Sequence, residues 1–164
     1  AIGRSGIPSP RRLTASEGTL QNPACPALGL DRRGVMVRHL LATDIAATLR
    51  RGKSVEQFLG RSPVDADHIR HVELRPSDGL IEVWVYDVED IGDEEYLDLY
   101  DFPDLEPDGP EGPAATFPDS PAAVEYASAS LSADPARWVN AGISQSEYLE
   151  YIRAGRPSGW PPAA

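Results

Sequence analysis

The sequence predicts an α+β fold: a small antiparallel β-meander at about residues 69–102, a short N-terminal helical pair, and C-terminal helices packed on the sheet. Three features carry that expectation. Residues 36–60 and 120–155 hold runs with helical spacing and capping signals, LIEVWVYDV at 80–88 is rich in β-branched and aromatic residues, and Asp78-Gly79 separates it from the alternating run IRHVELR at 69–75. Asp-Gly between two strand-like runs is a hairpin signal, because the favoured two-residue turn needs positive φ at both central positions.

Along the chain, residues 1–35 carry five Arg against two acids and show no periodicity, which reads as a disordered basic arm or a non-native extension ahead of Met36, the only methionine. Residues 36–164 then read as a single α+β domain. Leu40, Leu41, Ile45 and Leu49 recur at helical spacing and end at Arg50, Arg51 and Gly52, which suit a helix C-terminus. Ser54 with Gln57 resembles a capping box and predicts a short second helix over VEQFLG, stopped by Gly60. As the recognition helix of a DNA-binding pair it lacks basic residues.

EYLDLYDF at 95–102 alternates strictly and predicts a third meander strand. Five prolines mark 103–118 as a loop. Ser120-Pro121, Asp134-Pro135 and the box Ser144-Gln145-Ser146-Glu147 each predict a helix start. Alternation places Ile81, Val83 and Val85 on the core face with Val72 and Leu74, joined by Leu97 and Leu99. The opposite face collects Glu82, Trp84, Tyr86, Tyr96, Asp98, Tyr100 and Phe102. That face is either covered by the helices carrying Tyr126, Trp138, Tyr148, Tyr151 and Ile152, or partly open as aromatic anchors ringed by carboxylates.

Charge sets the functional expectation. The 164 residues hold 26 acids against 15 basic residues, a net charge of −11, and residues 76–136 contain 17 acids with no Lys or Arg. Such a chain is repelled by nucleic acid and by anionic membranes, so a basic protein partner is expected. No apolar run is long enough to span a membrane, and a cytoplasmic protein is the expectation.

Catalytic and cofactor signatures are weak. Cys25 is the only cysteine and lies between prolines. DVEDIGDEEYLD at 87–98 fits a calcium loop poorly, with Ile91 at a ligand position and Asp98 where the bidentate Glu belongs. His68 and His71 with nearby carboxylates suggest a metal-dependent hydrolase, yet on a strand that spacing points them apart. No cofactor, metal site or catalytic residue is expected, and the chain reads as a non-enzyme. In size, charge and lack of a catalytic signature it resembles bacterial toxin-immunity proteins in general, with no family motif behind the likeness. The expected function is an acidic inhibitor that covers the active-site cleft of a basic nuclease or deaminase toxin. The alternative is a scaffold subunit of a larger assembly. Steering would fall to Asp87, Glu89, Asp90, Asp93, Glu94, Glu95, Asp98 and Asp101, with Trp84, Tyr86, Tyr96 and Tyr100 as anchors.

Overall fold

A computed structural model describes residues 39–162. The N-terminal arm expected at 1–35 lies outside the described residues. From the N-terminal side the elements are α1 (Ala42–Arg50), β1 (Val55–Arg61), β2 (His68–Ser77), β3 (Leu80–Glu89), a 3-10 turn at Leu99–Asp101, β4 (Ala115–Phe117), α2 (Ser120–Leu131), β5 (Val139–Asn140) and α3 (Ser144–Arg153). The strands form one five-stranded antiparallel sheet in the order β4-β3-β2-β1-β5, so the fold is α+β as expected.

The β2–β3 hairpin forms where Asp78-Gly79 places it, with φ of 50° and 79° at the two turn residues. Its register pairs Val72 with Val85 and Leu74 with Val83, which puts these residues on one face. There they meet Ile45 and Leu49 of α1, Ala123 and Ala127 of α2, and the buried Trp138. Leu41 points away and is exposed. On the opposite face Phe58, Ile69 and Val88 pack with Leu99, Phe102, Tyr148 and Tyr151. The sheet therefore separates two cores.

Several expected elements differ. VEQFLG is β1, an inner strand between β2 and β5, and not a helix. Both of its faces are covered, so Val55, Glu56, Gln57 and Phe58 are all buried and no alternation shows. Gln57 is satisfied by the backbone of Asp134, donating to its carbonyl and accepting from its amide at 2.7 Å each. Residues 95–102 are not a strand beside β3. Asp98 caps the 3-10 turn by accepting from the Tyr100 amide, and Leu99 and Phe102 drop onto the second face, so Leu97 and Leu99 join that core and not the first.

The outer edge of β3 is taken by the proline-rich segment. Leu105 donates to the Asp87 carbonyl, Ala114 to the Val83 carbonyl, and β4 pairs with Ile81–Val83. The segment expected to be a loop thus protects a sheet edge. At Asp134-Pro135 the Asp134 side chain accepts from the Ala136 amide in a tight turn, and ARWV leads into β5 with no helix.

Helix α3 starts at Ser144, but its capping box does not form, because both side chains are engaged elsewhere. Glu147 accepts from Arg137 and from His39, and Ser144 donates to Glu56. Glu56 is 0% exposed, and its Oε1 accepts from the Gly142 amide (2.6 Å), the Ser144 amide (3.0 Å) and Ser144 Oγ (2.7 Å). A carboxylate from β1 therefore caps α3 at the positive end of its dipole. Truncation as Glu56→Ala leaves these donors buried without an acceptor and should cost about 3 kcal/mol. Glu56→Gln keeps an acceptor and should cost less. Urea denaturation of both variants checks the ranking, and an alanine loss below about 1 kcal/mol would remove Glu56 from this role.

Candidate functional site

The second sheet face begins as apolar core and ends as a polar aromatic surface. At its covered end Tyr148 and Tyr151 of α3 pack on Phe58. At its centre lies His71, which is fully buried. Tyr86 stacks on the imidazole at 4.7 Å, and the Tyr100 ring meets it edge-on at 5.0 Å. Among the described residues neither ring nitrogen of His71 has a hydrogen-bond partner. Beyond Tyr86 the row continues to Trp84, with Arg75 lying 4.5 Å above the indole.

Carboxylates organise this row. Glu73 receives a two-pronged contact from Arg75, at 3.3 and 2.7 Å, and a bond from the Tyr86 hydroxyl. Burial is the largest single influence on Glu73 and raises its pKa, but the hydrogen bonds from Arg75, Ser54 and Tyr86, with the Arg75 charge, together outweigh it and hold the group below the usual carboxylate range. The Tyr100 hydroxyl donates to Glu56 Oε2 at 3.1 Å, and burial beside that carboxylate pushes the phenol well above its usual range. Trp84 donates to Glu82 at 2.8 Å.

The acidic loop that follows β3 is anchored at its base. Tyr148 donates to Asp90 Oδ1 at 2.7 Å, Arg156 donates to Asp90 Oδ2 at 3.0 Å and to the Gly92 carbonyl at 2.6 Å, and the Gly92 amide donates to Tyr148. Gly92 fits only as glycine, since a Cβ there would lie 2.6 Å from Phe102, Tyr148 and the Tyr96 carbonyl. Asp93 Oδ1 accepts from the amides of Glu95 and Tyr96 and closes the next turn.

The residues singled out from the sequence therefore separate by role. Asp87 lies on the first face in a bidentate pair with Arg70, away from the loop carboxylates. Asp90, Asp93 and Asp98 are structural acceptors. Glu94 pairs with Arg153 at the surface. Glu89, Glu95 and Asp101 are exposed, and among the described residues no hydrogen bond or ion pair engages their carboxylates. Trp84, Tyr86 and Tyr100 form one surface, while Tyr96 sits on Phe102 at the loop. Of the helices expected to cover this face only α3 does so, and it closes the β1 side alone. Tyr126 and Trp138 belong to the first core. The sequence names Tyr148 only as part of a covering helix, and it gives no role to Arg153 and Arg156, although charge counting points to the arginines. After residue 76 the only basic side chains are Arg137, Arg153 and Arg156, and each pairs with an acid.

The histidines are not brought together. His68 bonds Asp65 through Nδ1 at 2.9 Å, and His71 is buried on the other face. Among the described residues no group of three or more His, Cys, Asp or Glu is placed to hold a metal ion, and no helix is long and apolar enough to cross a membrane.

Two outcomes follow from this geometry. Burial pushes the His71 pKa down to about 4, against the opposing pull of Glu73 and Asp87. Between pH 6.5 and 4 the unfolded chain takes up a proton that the folded chain refuses. Stability from this group is thus complete above pH 6.5 and declines on acidification by up to about 3 kcal/mol. Relative to wild type, His71→Phe should flatten that part of the stability–pH curve measured by urea unfolding. Identical slopes would contradict it. Arg156→Ala should speed hydrogen exchange at the amides of Gly92 to Tyr96 at least ten-fold with little change in melting temperature, as read by mass spectrometry. No protein-family model matches the chain, and neither a curated protein nor a solved structure matches it.

Proposed function

We propose that the chain is a small acidic protein-binding module of inhibitor or immunity type. It neutralises a basic partner, such as a bacterial nuclease or deaminase toxin, by covering that partner's positively charged active-site cleft. It works by occlusion and not by catalysis, and cytoplasmic action belongs to the same proposal.

The observation that supports this reading most is the loop at 89–101. It presents Glu89, Glu95 and Asp101 to solvent on a backbone pinned by Asp90, Gly92 and Asp93. Exposed Ile91, Tyr96 and Tyr100 are interleaved with those acids, at 51%, 41% and 48% exposure. Carboxylates on a fixed scaffold steer a basic surface and set its register. A loop already ordered loses little freedom on binding.

The test uses the full chain to capture a partner from lysate of the cells that encode it, at low and at high salt. Retention of one basic protein in fixed stoichiometry, with its toxic activity abolished at equimolar ratio, supports the reading. Recovery of a multi-subunit assembly without inhibition would instead support the scaffold role. The informative charge reversal is Glu89→Lys with Glu95→Lys and Asp101→Lys, because Asp93 and Asp98 also hold turns. That variant should associate at least ten-fold more slowly at low salt, with weaker salt dependence and an unchanged circular dichroism spectrum. An unchanged rate would reduce the acidic loop to a solubility feature.

A further inference from the structure

We infer that the open half of the second sheet face, from Trp84 through Tyr86 and Tyr100 to Ile143, is the centre of the interface and takes an arginine side chain of a basic protein partner. This rests on the reading of the chain as an acidic binding module and names the chemistry that the module grips.

The rings form a continuous row. Trp84 and Tyr86 lie 6.4 Å apart at an interplanar angle of 15°, and Tyr86 and Tyr100 lie 5.5 Å apart at 74°. Tyr100 is 48% exposed and Ile143 40%, and both adjoin Glu56, through the Tyr100 hydroxyl on one side and the Gly142 and Ser144 amides on the other. The row is held from one side: buried His71 stacks on its cross-strand neighbour Tyr86 and meets Tyr100 edge-on, so neither ring must be ordered when a partner arrives. Tyr, Trp and Arg concentrated on a firm, half-buried surface are the chemistry of interface hot spots.

The face already shows how it holds a guanidinium. Arg75 lies over the Trp84 ring at 4.5 Å while its NH2 reaches Glu73 at 2.7 Å and the Tyr86 hydroxyl at 2.9 Å. Ring, carboxylate and phenol act together on one planar cation, an arrangement that favours arginine over lysine. Tyr100, with Asp101 next in the chain, offers a second ring and carboxylate open to solvent. Residues 76–136 carry 17 acids and no Lys or Arg, so a second copy of the chain would bring like charge to the same face. A partner presenting arginine meets both the charge and the geometry.

The test titrates octa-arginine and octa-lysine peptides into the ¹⁵N-labelled full chain, using an order of magnitude as the scale for a specific contact. Octa-arginine should move the amides of Trp84, Tyr86, Tyr100 and Ile143 together with the acidic loop, and bind about ten-fold more tightly than octa-lysine. Tyr100→Ala should lose most of that preference while the loop shifts persist. If that variant loses its fold, Trp84→Leu and the arginine-to-lysine ratio of the wild type carry the test. Shifts confined to 89–95, absent at Trp84, Tyr86 and Ile143, and equal for both peptides would overturn the face as the binding centre and leave the steering role of the loop standing. No binding by either peptide at low salt would overturn both readings.

Discussion

The buried Glu56 carboxylate is the constraint through which the two halves of the molecule are joined. It sits on β1 fully buried, and four donors converge on it from two other parts of the chain. A carboxylate in such a place is tolerable only if every oxygen is engaged, and here the engagement fixes structure. Three of the donors belong to the start of α3, so the helix is oriented by the sheet and not by its own first turn. The fourth is the Tyr100 hydroxyl, so the segment that carries the acidic loop back across the sheet hangs from the same group. Strand, helix and acidic loop are positioned together.

From that anchor the electrostatics of the loop become coherent. Carboxylates crowded into one segment repel one another and loosen a fold. The chain answers with side chains that arrive late in the sequence: Arg153 on Glu94, and Arg156 with Tyr148 on Asp90. These contacts neutralise the base of the loop and leave Glu89, Glu95 and Asp101 outside. Exposed pairs such as Arg153 with Glu94 add little stability. The contacts at Asp90 and Gly92 are less exposed and determine where the backbone runs.

Local signals read well wherever local chemistry decides the outcome. The β2–β3 hairpin, α1, α2 and α3 were legible because an Asp-Gly turn, helical spacing and a proline near a helix start act within a few residues. The failures occur where long-range contacts win. β1 is covered on both faces and carries two buried polar residues, Glu56 and Gln57, whose partners lie near residues 134 and 142 in the sequence. Nothing within VEQFLG announces them. At 95–102 the alternation was real, but it describes a segment lying on a sheet face, held by Asp98 and by Leu99 and Phe102 beneath it. Of the site, the acidic loop and its aromatic neighbours were visible in composition. The division between carboxylates that hold turns and carboxylates that face solvent required the folded chain.

His71 shows how stability and surface chemistry are traded here. A fully buried imidazole whose two nitrogens find no hydrogen-bond partner among the described residues costs free energy that a phenylalanine of similar shape would not. Such deficits in a folded protein call for a local reason. This imidazole stacks on its cross-strand neighbour Tyr86, meets Tyr100 edge-on, and lies next to the cross-strand pair Glu56 and Glu73. The ring is flat enough to stack and compact enough to let Tyr100 reach Glu56. The first face of the sheet is sealed by apolar helix contacts, whereas the second accepts an unfavourable group at its centre and remains half open. That asymmetry suits the proposed binding role: a conventional core on one side, and on the other a row of packed aromatic rings left half open.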